Sequence, residues 1–258
     1  MPELPDVEAA RRDLHRWLRG GVVTRAFDRR LAGRTVRAIE RRGKWLRLEL
    51  GDGLLVFSHL GMTGKWVRRA PGDPPERWER ARIDVERRRG APASARYVDA
   101  RRLGRLVVAR GDIRAWRELG PDLLVDGLDA PTLCAALSRR RRAVKEALMD
   151  QTLVAGVGNI LATEALWLAR LDPRSRTDAL SRADVRAVAR GLRVTIDRAL
   201  ARQPRGDRRY VNEGRVENPF RVYARAGTPC PRCGTTLRRI VLAGRGTVHC
   251  PRCQKRRG

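Results

Sequence analysis

Cys230-Pro231-Arg232-Cys233 and Cys250-Pro251-Arg252-Cys253 hold four of the five cysteines of this 258-residue chain. Sixteen residues separate the two pairs. That spacing suits a β-hairpin with two thiolates at each end, and four thiolates match tetrahedral zinc in a closed structural site. His249 adjoins Cys250, but four sulfurs already complete the coordination. The fifth cysteine, Cys134, falls in an apolar helical pattern and reads as a small buried side chain. Cysteines in this arrangement, with no apolar signal-peptide core at the N-terminus, argue for metal binding rather than disulfides.

Upstream of the finger the pattern is helical. Val185, Val188, Ala189, Leu192, Ile196, Ala199 and Leu200 recur on one stripe, which predicts a helix over 181–202. Shorter helices are expected at 132–138, 143–149 and 159–169. Gly156-Val157-Gly158-Asn159 lies between two of them. Its glycines allow a tight turn and close approach of a phosphate to the next helix N-terminus. A purely structural helix connection is as good a reading of these four residues. Asn159 can cap the helix or donate to phosphate. Residues 203–219 are rich in charge and read as a flexible loop.

Before residue 118 the period is two. Lys44-Trp45-Leu46-Arg47-Leu48-Glu49-Leu50 alternates, and Gly51-Asp52-Gly53 turns the chain into 54–59. Further strands are expected at 35–39, 82–86, 96–99 and 105–109, so this half reads as a sandwich or barrel. One helix precedes it over 6–19, with Val7, Ala10, Leu14, Trp17 and Leu18 on one face and Asp6 as the cap. The fold class is therefore α+β with several domains: 1–118, 119–220 and 221–258.

The formal charge is +28, and only four of the 57 basic residues are lysine. Such an excess points to a polyanionic partner. Hydrophobic residues make up 42%, enough for a packed core. No apolar run approaches the roughly 18 residues that span a bilayer. A cytoplasmic, nucleoid-associated protein without a membrane partner is expected.

Pro2 becomes the N-terminus once Met1 is trimmed. Its secondary amine, with an ordinary α-amino pKa of about 8, is partly neutral near pH 7. An amine nucleophile beside Glu3 suggests Schiff-base chemistry at a carbonyl carbon. Taken singly, Lys44, Met62, Arg101 and Arg102 read as ordinary surface or core residues.

Taken in order, the motifs resemble the formamidopyrimidine-DNA glycosylase / endonuclease VIII family. They are Pro2-Glu3-Leu4-Pro5, Arg42-Gly43-Lys44, His59-Leu60-Gly61-Met62, Asp99-x-Arg101-Arg102-x-Gly104, Gly156-Val157-Gly158-Asn159 and the four-cysteine finger. The resemblance covers essentially the whole chain. It implies an N-terminal helix plus β-sandwich, a helix–two-turn–helix domain and a C-terminal zinc-finger β-hairpin with one structural zinc on Cys230, Cys233, Cys250 and Cys253. It further implies a monomer that binds damaged double-stranded DNA between its lobes and flips the lesion out of the stack.

By position, Pro2 resembles the family's nucleophile and Glu3 its ring-opening and proton-transfer residue. Lys44 resembles its phosphate-contacting lysine. Met62, Arg101 and Leu103 fall where the family refills the vacated duplex. Asn159 and Arg245 resemble its phosphate-binding residues. The implied activity is excision of oxidised bases, followed by β- and δ-elimination at the abasic site. The chain departs from the family pattern at Leu103, where phenylalanine is usual, and at Ala100, where proline is usual. The loop at 211–219 looks short. Leu4 favours the formamidopyrimidine branch. Two other readings use the same features: a non-catalytic lesion-binding protein on this scaffold, and a zinc-ribbon protein that binds RNA.

Overall fold

The computed structural model describes residues 2–88, 90–127, 129–138, 141–202 and 218–258. The expected loop at 203–219 and the short loop at 211–219 therefore lie almost wholly outside the described residues. The described residues form two compact units, one within residues 1–117 and the other comprising 118–202 and 218–258.

The first unit opens with α1 (Leu4–Leu18). It starts earlier than the apolar pattern predicts because Glu3, not Asp6, is the cap. The Glu3 side chain accepts from the Asp6 N–H, and Asp6 Oδ2 accepts from the Glu3 N–H at 2.8 Å. Two otherwise unpaired donors of the first turn are thus satisfied reciprocally. Pro5 in that turn has no N–H to lose.

Eight strands follow: β1 (Val22–Ala26), β2 (Val36–Arg42), β3 (Trp45–Leu50), β4 (Leu54–His59), β5 (Lys65–Arg69), β6 (Glu79–Glu86), β7 (Ala93–Val98) and β8 (Arg105–Arg110). They pair antiparallel in two four-stranded sheets, ordered β1-β6-β7-β5 and β2-β3-β4-β8. The alternation read from the sequence decides which face of β3 is internal. Leu46, Leu48 and Leu50 are all buried, and they join Val7, Leu14 and Leu18 of α1 and Trp66, Ile83 and Tyr97 of the other sheet in one core. β4 is also covered on its second face, where Phe57 meets Trp116 of α2 (Arg114–Arg117) edge-on at 5.7 Å.

The second unit contains α3 (Ala130–Ser138), α4 (Val144–Met149), α5 (Asn159–Leu168) and α6 (Arg182–Ala201), then the hairpin β9 (Arg238–Leu242) and β10 (Arg245–His249). Ser181 caps α6 in a second capping box with Asp184. Cys134 is half-buried on α3 rather than enclosed. No helix among the described residues is long and apolar enough to cross a membrane. The architecture is the expected one of helix plus β-sandwich, helical region and four-cysteine hairpin.

Candidate active site and nucleic-acid interface

In the first unit Pro2 and Glu3 are buried at the head of α1. The Glu3 carboxylate accepts from the Asp6 N–H, and the backbone donors of the first helical turn favour its negative charge. Lys44 does not begin a strand. It is the second residue of the two-residue turn between β2 and β3, after Gly43 at φ +56°. The left-handed conformation at Gly43 is why glycine precedes the lysine.

Helix and turn are braced together. Arg41, whose side chain is almost wholly buried, donates to Glu8 Oε2 of α1 at 3.2 Å and to the Gly43 carbonyl at 3.0 Å. Burial pushes the Glu8 carboxyl up, but hydrogen bonds from Arg11 and Arg12 and the charge of Arg41 outweigh it and hold the group ionised.

His59, quoted only as part of a motif in the sequence, has a defined state. Burial and the cations Lys44 and Arg105 lower its pKa to about 4. Its ring lies 5.0 Å from that of Trp45. Nδ1 accepts from the Gly61 N–H at 3.1 Å, which assigns the proton to Nε2. A neutral N–H donor thus lies within the influence of two cations, a combination suited to a phosphate oxygen.

Met62 lies on the loop from β4 to β5, and Arg101 and Leu103 on the loop from β7 to β8. The structure clamps these loops together. Buried Asp99 accepts from Thr63 Oγ1 at 2.5 Å, from the Gly104 N–H at 2.8 Å and from the Arg101 N–H at 3.3 Å. A Cβ on Gly61 (φ +60°) would sit 2.5 Å from the Leu103 backbone, so only glycine permits this approach. Met62 is half-buried, whereas Arg101 and Leu103 are exposed.

In the second unit Asn159 occupies the first turn of α5 and caps nothing. Its Nδ2 donates to the Gly246 carbonyl at 3.1 Å, and its Oδ1 accepts from Lys145 Nζ at 2.5 Å. Lys145 is fully buried and also donates to Thr247 Oγ1. Asn159 is thereby tied to the hairpin strand that carries exposed Arg245. Gln151 shapes the turn before Asn159, donating to the Met149 and Val157 carbonyls and accepting from the Gly156 N–H. Glu164 of α5 accepts from the N–H groups of Arg221, Val222 and Tyr223, each within 2.9 Å.

The four finger sulfurs lie within 4.8 Å of one another, and Cys233 and Cys250 Sγ are 3.6 Å apart. Four sulfurs about 2.3 Å from one zinc in a tetrahedron are separated by roughly 3.8 Å, so the cluster has the right size. The residues fit one structural zinc, and His249 is not among the clustered ligands.

Comparison with known proteins agrees with both units. The N-terminal domain of formamidopyrimidine-DNA glycosylase matches residues 1–106, that enzyme's helix–two-turn–helix domain matches 119–209, and a zinc finger found in FPG and IleRS matches 227–256. The chain is 38% identical to the formamidopyrimidine-DNA glycosylase of Thermomicrobium roseum, covering 98% of this chain and 99% of that one. It is 36% identical to that of Thermobifida fusca, covering 99% and 98%. Among solved structures, it resembles Lactococcus lactis Fpg in complex with abasic-site DNA (TM-score 0.85, 29% identity, 99% and 100% covered). It also resembles MutM (Fpg) of Thermus thermophilus (TM-score 0.81, 35% identity, 98% of each covered).

Proposed function

Because the chain belongs to the formamidopyrimidine-DNA glycosylase family, we propose that it excises oxidised bases, of the formamidopyrimidine type by preference, from duplex DNA and then cleaves the abasic site. The single observation that carries this reading is the placement of Pro2 and Glu3. The residue that would supply the amine is held at the helix head beside a carboxylate fixed by the capping box.

The chemistry follows from those groups. Met1 is removed, leaving Pro2 with a secondary amine. The neutral amine attacks C1′ of the extruded nucleotide, and the glycosidic bond breaks as the base leaves and takes a proton from water. The Glu3 carboxylate accepts the proton that the attacking amine gives up and passes it to O4′ as the sugar ring opens and the C1′–N bond becomes an iminium. The iminium acidifies C2′–H, and loss of that proton expels the 3′ phosphate. A second elimination expels the 5′ phosphate, and water then hydrolyses the imine to free Pro2. Lys44 and neutral His59 hold phosphate oxygens near the lesion. Asn159 and Arg245 of the second unit also bind phosphate. Met62, Arg101 and Leu103 refill the vacated space and read the orphaned base. Zinc, held by Cys230, Cys233, Cys250 and Cys253, shapes the hairpin and takes no chemical step. The protein acts as a monomer at the nucleoid, drawn to DNA by its positive charge.

Borohydride reduction tests this directly. It converts the iminium to a stable amine and links protein to abasic DNA. Protein with Met1 removed should be trapped, and protein carrying an N-terminal tag should bind DNA without being trapped. Trapping of the tagged form would dismiss Pro2, and no trapping of either form would favour the lesion-binding alternative.

A further inference from the structure

The sequence replaces the usual aromatic wedge residue with Leu103, yet the same unit presents a tryptophan that no motif includes. Trp78 is 47% exposed, whereas Trp45, Trp66, Trp116 and Trp167 are each below 10%. A single exposed aromatic needs no explanation by itself. Conformation, support and position together set Trp78 apart.

The conformation is unusual. Trp78 has φ +63°, an outlier for a bulky residue and one that persists only where the surroundings enforce it. The loop that leads to it is held in place. Arg96 of β7, fully buried, donates to the carbonyls of Ala70 (3.0 Å), Asp73 (2.8 Å) and Pro74. Arg69 pairs with Glu76, and the Glu76 N–H donates to Glu79 Oε2 at 3.0 Å. A buried cation is thus devoted to holding an exposed loop in one shape. The position links the loop to the wedge. The Trp78 carbonyl accepts from the Asp99 N–H at 3.1 Å, and Arg80 Nε donates to the Asp99 carbonyl at 3.0 Å. Asp99 is the residue whose carboxylate clamps the loops of Met62 and Leu103. Finally, the Arg77 guanidinium lies over one face of the Trp78 ring, 4.2 Å from its centre, and braces the indole with a cation.

We propose that Arg77 and Trp78 form a nucleobase-stacking platform beside the wedge, which receives a base unstacked next to the extruded nucleotide and supplies the aromatic face that Leu103 lacks. Arg77 takes one face of the indole, so the base stacks on the opposite face, and such aromatic stacking beside a cation binds unpaired bases with little regard to sequence. The inference rests on the excision reading above, because only a flipped nucleotide leaves a neighbour unstacked.

Tryptophan fluorescence and binding test it in the full chain with zinc. In the free protein, acrylamide should quench a component of the emission that is missing from Trp78→Phe. A duplex carrying a tetrahydrofuran abasic analogue should shield that component, and undamaged duplex should not. Trp78→Ala should weaken binding of the analogue duplex about tenfold, the order of one base–aromatic stack. It should leave undamaged duplex and the salt dependence unchanged, because a neutral side chain releases no counterions. Trp78→Phe should keep most of the affinity. Absence of shielding in the wild type, or equal loss for both duplexes in Trp78→Ala, would overturn the platform. Shielding is read in the wild type, so it decides the matter even where Trp78→Ala fails to fold. Borohydride trapping of the wild type separates the two layers: trapping without shielding removes the platform alone, and no trapping removes the excision reading.

Discussion

Thr63 Oγ1 lies 2.5 Å from Asp99 Oδ1, and through this contact the loop bearing Met62 is fastened to the loop bearing Arg101 and Leu103. Asp99 is 1% exposed, so its carboxylate depends on protein donors. Leaving a buried acceptor short of one donor costs about 1–3 kcal/mol. Thr63→Val keeps the shape and removes the donor. It should slow incision of an oxidised base about tenfold, which is about 1.4 kcal/mol. A preformed abasic site has no base to extrude, so its cleavage should change much less. Single-turnover rates on the two substrates check this, and equal slowing would mean that the contact serves stability rather than extrusion.

Lys145 makes a different kind of tie. Its ammonium bonds Asn159 and Thr247 inside the second unit, so it orients the side chain proposed above to meet phosphate. Lys145→Met should weaken damaged and undamaged duplex alike, since phosphate contacts carry no base information. Because Lys145 acts through Asn159, adding Asn159→Ala should cost little more. A double-mutant cycle should therefore show coupling of at least about 0.5 kcal/mol. Fully additive losses would show that the two residues act separately.

These two ties also mark where the sequence stops being legible. The strands are readable because Leu46, Leu48 and Leu50 alternate with charge, and the finger because four cysteines have metal spacing. Lys145 is not readable: a lysine beside Glu146 looks solvated, and the partner that satisfies it lies 102 residues away at Thr247. Asp99 is only a motif position in the sequence, where the two arginines after it carry the more obvious chemistry. The apolar stripe of the first helix begins after Asp6 and so points to Asp6 as the cap. The reciprocal box moves the start to Leu4 and places Glu3 itself at the cap. Asn159 has the right residue type for capping, but its amide bonds across the unit instead. For Lys145, Asp99 and Asn159 a tertiary partner decides, and local pattern carries no trace of it.

The finger predicts its own metal dependence. Cys233→Ser removes one of four sulfurs that lie within 4.8 Å of one another. Zinc content should fall well below one per chain, and DNA affinity should drop as Arg245 loses its placement. The sandwich of the first unit has its own core, so its thermal transition should remain. A variant that keeps a full zinc complement by metal analysis would show that the cluster does not need Cys233.

His59 makes stability depend on pH with a definite sign. Its folded pKa is lowered from 6.5 to about 4, first by burial and then by Lys44 and Arg105. Between those values the unfolded chain binds the proton and the folded protein does not, so unfolding gains from every fall in pH. The stability tied to neutral His59 is fully present above about pH 6.5. It is lost progressively as pH falls, up to roughly 3 kcal/mol by pH 4. His59→Gln cannot titrate. Denaturant unfolding across pH 4–7 should therefore show a flatter slope for the variant, by up to one proton taken up on unfolding. DNA binding adds a second arm. If neutral Nε2–H donates to phosphate within the influence of two cations, His59→Gln should retain part of the affinity through its amide, and His59→Ala should retain less. Identical pH slopes in wild type and variant would mean that the ring titrates as freely as an exposed histidine, and the lowered pKa would then be wrong.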